Sequence, residues 1–150
     1  MSPTKADDSQ KTLVLIKPDA VERGLSGNIL SRLEGLGLKI TAMKMLTMDG
    51  ELAGRHYAVH REKSFYLSLV SFITSGPIIA LVLEGPQAVE TVRKTMGDTD
   101  PAKAAPGTIR GDLASDIERN LVHGSDSDEN AEREIDIFFR PEELQSSRPV

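Results

Sequence analysis

The chain reads as an α+β domain, a four-stranded antiparallel sheet covered by helices on one side. Three observations predict this. Residues 11–16 (KTLVLI) and 78–83 (IIALVL) are short apolar runs, rich in β-branched residues and stopped by turn formers. Apolar residues recur at helical spacing in the stretches between and after them. The resulting order is strand, helix, strand, helices, strand, helix, short strand, helix. A flavodoxin-like parallel sheet would require more strands and one crossover helix for each.

At 150 residues, with 39% apolar residues, the chain has the size and composition of one globular domain. The domain is expected over residues 11–144, between a flexible N-terminal tail (1–10) and a short C-terminal tail (145–150). The first residues lack the apolar core of a signal peptide, and no run is long enough to span a membrane. Without cysteine there is no disulfide, thiol nucleophile or thiolate metal site. A net charge of -5 argues against non-specific nucleic-acid binding, although it leaves room for a local basic pocket.

Pro18 ends the first strand and disfavours a helical Lys17, which should sit at the strand end. Gly24 and Gly27 flank a turn. Ile29, Leu30, Leu33 and Leu36 form a helical stripe that exits at Gly35 and Gly37. Residues 38–46 return to strand character, and Asp49 is placed to cap a short helix containing His56. A helix over residues 64–74 aligns Tyr66, Leu69, Val70 and Ile73 and leaves Phe65 off the stripe. Residues 78–83 read as a central strand, after which Gly85-Pro86 opens a helix to Met96 with Arg93 beside its buried stripe.

Residues 97–111 (GDTDPAKAAPGTIRG) form a long loop carrying Thr99 and Arg110, and a loop of this length is usually functional. Asp112 is expected to cap a short helix containing Ile117. The segment Asn120-Leu121-Val122-His123-Gly124-Ser125-Asp126 follows, and then a helix capped by Ser127 or Asp128 and stopped by Pro141.

A neutral imidazole is a good nucleophile and a natural carrier of a transferable group. Such an imidazole needs its second nitrogen held by an acceptor, and Glu134 is a candidate for that role. Lys17, Arg93 and Arg110 offer positive charge for phosphate oxygens, while Thr99 and Asn120 offer neutral hydrogen bonds. His56, His60 and His123 are the only histidines, and no metalloprotease-type or deaminase-type pattern joins them to a carboxylate. The residues alone leave a phosphate-handling enzyme and a structural histidine in a ligand-free regulatory domain as alternatives.

The 120–126 segment resembles the active-site signature of nucleoside diphosphate kinases. The resemblance extends to residues 11–19, His56-Tyr57, Ser75-Gly76-Pro77, the run from Pro101 through Gly107-Thr108-Ile109-Arg110-Gly111-Asp112, and Pro141-Glu142-Glu143-Leu144. It implies a ferredoxin-like βαββαβ domain that transfers the terminal phosphoryl group of a nucleoside triphosphate to a nucleoside diphosphate. On this likeness His123 becomes the phosphohistidine, Glu134 bonds its opposite nitrogen, and Tyr57 lies beside it. Lys17 and Asn120 contact the sugar hydroxyls, with Lys17 also near the transferred phosphate. Arg93, Thr99 and Arg110 hold the phosphates, while Phe65 stacks on one face of the base and Ile117 meets the other. The resemblance implies broad base tolerance, Mg2+ carried in by the nucleotide and a cytoplasmic homo-oligomer. A hexamer is favoured and a tetramer is the alternative, because the chain runs only a few residues past Leu144, where longer members carry an interface tail. Ser64 departs from the proline common at that position.

Overall fold

The structure is a computed structural model, and it describes residues 9–145. Four strands, β1 (Ser9–Ile16), β2 (Lys39–Leu46), β3 (Ile78–Pro86) and β4 (Val122–Gly124), form one sheet in the order β2-β3-β1-β4, with every neighbouring pair antiparallel. Among the described residues seven α-helices accompany them: α1 (Pro18–Glu22), α2 (Ser26–Glu34), α3 (Gly50–His56), α4 (Tyr66–Ile73), α5 (Ala88–Met96), α6 (Ile109–Leu113) and α7 (Asp128–Phe138). The connections β1-α2-β2 and β3-α5-β4 give the ferredoxin-like core.

Helices cover both faces of the sheet, not one. Val14 and Ile16 of β1 pack with Leu81 and Leu83 against Ile29 and Leu33 of α2 and Val92 and Met96 of α5. Leu13 and Leu15 point the other way, with Ala80 and Val82, onto Ala53 of α3, Ile73 of α4 and Ile135 and Phe138 of α7. The unbroken apolar runs of β1 and β3 have this cause, since a strand buried on both faces loses its polar alternation. Both are interior strands.

β1 takes in Ser9 and Gln10, which the sequence had assigned to the N-terminal tail. Residues 1–8 and 146–150, the remainder of the expected tails, lie outside the described residues. Gln145 is tied down, its N–H donating to the Thr41 carbonyl at 2.7 Å.

Three local expectations are corrected. Gly85 and Pro86 finish β3 instead of opening α5, which begins after Gln87 in a left-handed conformation (φ 51°). Asp112 lies inside α6. The cap is Thr108, whose side chain accepts from the Gly111 N–H at 2.9 Å, while Asp112 reaches back to the Gly107 N–H and pairs with Arg32 at 2.9 Å. Ile117 lies beyond that helix, in the irregular segment leading to β4. The expected caps at Asp49 and Ser127 are formed.

Candidate active site

Lys17 is held at the end of β1 in an extended conformation (ψ 166°) by the following proline. Its N–H donates to the Leu121 carbonyl at 2.8 Å, and the Leu121 N–H donates to the Asp19 carboxylate at 3.2 Å. Leu121 has φ 78°, a left-handed conformation that a branched side chain adopts at a cost. Clamped by Lys17 and Asp19, it reverses the chain and delivers β4 in register, with His123 opposite Leu15. Gly124 permits close packing behind the histidine, because a Cβ there would lie 2.5 Å from Met96 Sδ of α5.

Helix α7 returns over β1 and sets Glu134 against the histidine, His123 Nε2 to Glu134 Oε1 being 2.9 Å. The same oxygen accepts from Ser125 Oγ at 2.7 Å, and Ser125 Oγ accepts from the Leu13 N–H at 3.3 Å. Burial works to raise the Glu134 pKa, but the hydrogen bonds from His123 and Ser125 outweigh it and leave the carboxyl below its usual value. An ionised carboxylate can only accept, so Nε2 carries the proton and Nδ1 keeps its lone pair. Nδ1 has no hydrogen-bond partner among the described residues.

Around the histidine is a cavity of ≈ 260 Å³. Lys17, Tyr57, Arg93, Thr99, Arg110, Asn120 and Glu134 all line it, so eight of the ten residues singled out in the sequence, His123 included, meet in one place. Lys17 Nζ donates to Asn120 Oδ1 at 2.8 Å, and Asn120 Nδ2 donates to the Thr99 carbonyl at 3.2 Å. Burial, then the nearby Arg110, pushes the Lys17 ammonium down to about 8. Burial pushes the Tyr57 hydroxyl up to about 12, assisted by the Glu134 charge.

Arg110 is embedded. Its Nε donates to the Asn120 carbonyl at 3.3 Å, Nη1 to Gly97 at 3.0 Å and Nη2 to Val122 at 2.7 Å. Burial, then Arg93, lowers it to about 10. Arg93 makes one contact, from Nη1 to the Gly124 carbonyl at 3.3 Å, and is otherwise open to the cavity.

Phe65 and Ile117 do not line this cavity; they are 47% and 58% exposed. Phe65 lies just before α4, its ring 5.7 Å from that of His60, which does line it. A hydrogen bond from Ser68 to Glu118 joins the segments that carry Phe65 and Ile117. A larger cleft of ≈ 680 Å³, lined by Pro18, Phe72 and Pro77, also collects Asp19, Glu22 and Glu118 against one cation, Arg119. That balance is unsuited to an anionic ligand.

Sequence reasoning missed Asp19 and Ser125, which hold the histidine strand and the orienting carboxylate, and His56. Helix α3 ends at His56, so His56 and His60 are not an i,i+4 pair on one helix. The His56 ring instead meets that of His123, with centroids 4.7 Å apart and planes at 85°. Burial, and next the neighbouring His123, holds the His56 pKa well below its ordinary value.

The family described as nucleoside diphosphate kinase matches residues 10–144. A nucleoside diphosphate kinase of Dehalococcoides mccartyi is 60% identical over 135 residues, covering 90% of this chain and 95% of its own. That of Thermus thermophilus is 58% identical over 135 residues, covering 90% and 98%. The solved structure of a halophilic nucleoside diphosphate kinase from Halobacterium salinarum, in complex with CDP, superposes with a TM-score of 0.90 at 50% identity, covering 94% of each chain.

Proposed function

The chain belongs to the nucleoside diphosphate kinase family and is an enzyme of nucleotide phosphate transfer; we propose that it works in two half-reactions through a phosphohistidine at His123. The observation that carries this reading is the chain from Leu13 through Ser125 and Glu134 to His123 Nε2, which leaves Nδ1 deprotonated at the cavity. In the first half-reaction Nδ1 attacks the terminal phosphorus of a nucleoside triphosphate. The P–N bond forms as the bond to the diphosphate oxygen breaks, and Glu134 stabilises the positive charge growing on the ring. An acceptor diphosphate then reverses these steps and restores the neutral imidazole.

Lys17, Arg93 and Arg110 balance the phosphate charge. A guanidinium has five N–H donors, so Arg110 keeps two for phosphate beyond the three it spends on carbonyls. Thr99 joins this phosphate set, Lys17 and Asn120 take the sugar hydroxyls, and Tyr57 walls the histidine. Mg2+ enters with the nucleotide, neutralising its phosphates. Nitrogen donors and cations dominate the cavity lining, which suits an ion whose oxygen ligands come largely from the nucleotide. One carrier histidine lets donor and acceptor occupy the site in turn. Initial rates with both substrates varied should give parallel double-reciprocal lines; converging lines would rule the two-step scheme out.

We read Phe65 and Ile117 as the two sides of a base slot. Neither offers a group that reads a base edge, which supports broad base tolerance. Phe65→Ala should raise KM for purine and pyrimidine nucleotides together. Stacking is worth about 1–3 kcal/mol per base, and the half-open position of Phe65 puts the loss at the low end, about fivefold. A loss confined to one base class would show that Phe65 reads base identity.

Lys17 makes the site sensitive to alkali. Its folded pKa, about 8, lies below the ordinary 10.5, so the free protein loses this cation as pH rises through 8. Nucleotide affinity measured by calorimetry should fall across that range, and an affinity unchanged from about pH 7 to 9 would contradict the assignment. Fold stability runs the other way. Between the two pKa values the unfolded chain binds more protons at this residue, so the Lys17 contribution becomes more favourable as pH rises.

The enzyme is proposed to be a cytoplasmic homo-oligomer, a hexamer before a tetramer, with the loop around Pro101 at a subunit contact. The outer strand β2 exposes Met43 (53%) and Met45 (60%), an apolar edge suited to another copy of the chain. Light scattering decides the stoichiometry. Among the described residues no helix is long and apolar enough to cross a membrane.

A further inference from the structure

We propose that His56, His123 and Glu134 form a site for a borderline transition-metal ion of the Zn2+ class, and that filling it shuts the phosphate-transfer site. The second statement rests on the reading of His123 as the phosphate carrier; the first does not.

One donor atom from each of the three residues lies within 4.8 Å of the other two. His56 is the unexpected member. It is 3% exposed, yet neither of its ring nitrogens has a hydrogen-bond partner. A buried polar group without a partner calls for an explanation. The ring is fixed by packing, its centroid 4.6 Å from that of Tyr57 and 5.4 Å from that of Phe138, and it places one unpaired nitrogen within 4.8 Å of a ligand atom of both His123 and Glu134. The phosphate-transfer scheme leaves this imidazole without a task.

Two neutral imidazoles and one carboxylate are a zinc ligand set. Mg2+, which demands six oxygen ligands in near-ideal octahedral geometry, is poorly served by it. Zn–N distances of about 2.0–2.1 Å put tetrahedral ligand atoms about 3.3 Å apart, so the 2.9 Å His123–Glu134 pair must open and separations of up to 4.8 Å must close. His123 can supply the movement, its side chain being 24% exposed and facing the cavity. Three protein ligands leave a fourth position for water or a phosphate oxygen. Arg133 Nη2, 3.7 Å from Glu134 Oε2, opposes a cation here and should keep the affinity moderate. Glu134 meets His123 at Nε2, so an ion shared by the two replaces the Nε2 proton and takes the carboxylate that orients the ring, which leaves Nδ1 a poor nucleophile.

The test uses the full-length, metal-free protein, with Co2+ as a visible probe and Zn2+ as its competitor. Co2+ should give the visible bands of a low-coordinate nitrogen–oxygen site at one ion per chain, and Zn2+ should displace it. His56→Gln should weaken Co2+ binding by at least about tenfold, the low end for disturbed metal surroundings. Glu134→Gln provides an independent variant should the first not fold. Zinc-loaded wild-type protein, freed of excess metal, should take acid-labile label from ATP at least about tenfold more slowly than the metal-free protein, a comparison that needs no substitution. Absence of the bands or equal binding by both variants would overturn the site, and unslowed labelling of the zinc-loaded protein would overturn its effect on transfer. Failure of the metal-free protein to take acid-labile label from ATP would instead overturn the role of His123 and leave the metal result standing.

Discussion

Arg110→Ala should cost stability before it costs phosphate affinity. The guanidinium joins three backbone segments by donating to the carbonyls of Gly97, Asn120 and Val122. The Asn120 carbonyl keeps a second donor in the Val122 N–H, so the loss falls mainly on Gly97 and Val122. A buried acceptor left without a partner costs about 1–3 kcal/mol, which puts the variant about 3 kcal/mol below wild type. In a domain of this size the thermal midpoint then falls by roughly 6–12 °C. Arg93→Ala is the control, since among the described residues Arg93 makes one hydrogen bond, 3.3 Å long. It should lower nucleotide affinity with little change in midpoint. Thermal unfolding and nucleotide titration on both proteins test the contrast, and an Arg110→Ala midpoint equal to wild type would refute the scaffold role.

That dual use of Arg110 was not legible in the sequence, where an arginine after a glycine- and proline-rich loop reads simply as a phosphate ligand. What could be read was whatever a local rule controls. Pro18 fixes the extended Lys17, Asp49 and Ser127 cap their helices, and the apolar runs of β1 and β3 mark interior strands. Those runs also implied burial on both faces, an implication the one-sided arrangement overlooked. Helix α1, five residues long, is too short to show a period. Asp112 resembles a cap, but Thr108 sits earlier on the same turn and takes the role. Within the site, Glu134 was found because β4 and α7 are consecutive and fold back on each other. Asp19 reaches the residue before the histidine strand across most of the chain and His56 reaches His123 across nearly half of it, and no spacing rule foreshadows such contacts. The left-handed Leu121 gives no sign either, since its conformation is imposed by partners and not by residue type.

The largest effect is expected at His123, the proposed carrier. His123→Gly should abolish phosphoenzyme formation, because the chain has no cysteine to substitute and the neighbouring Asn120 and Ser125 are poor carriers at neutral pH. Glu134→Gln should still be phosphorylated, but slowly. An amide oxygen can accept from Nε2 and preserve the tautomer, whereas the carboxylate's stabilisation of the positive ring is lost. Ser125, which donates to the same carboxylate at 2.7 Å, can still donate to that amide oxygen, so the fold around the site should survive. Free imidazole should partly restore transfer by His123→Gly, because the deletion opens space beside the ≈ 260 Å³ cavity already lined by Lys17, Arg93 and Arg110. The same addition should do nothing for Glu134→Gln, whose ring is still in place. If His123 were only a packing residue, both variants would lose stability and imidazole would help neither. Transfer to a diphosphate acceptor, measured alongside thermal unfolding, separates these outcomes. A stably folded His123→Gly protein that still took acid-labile label from ATP would place the carrier elsewhere.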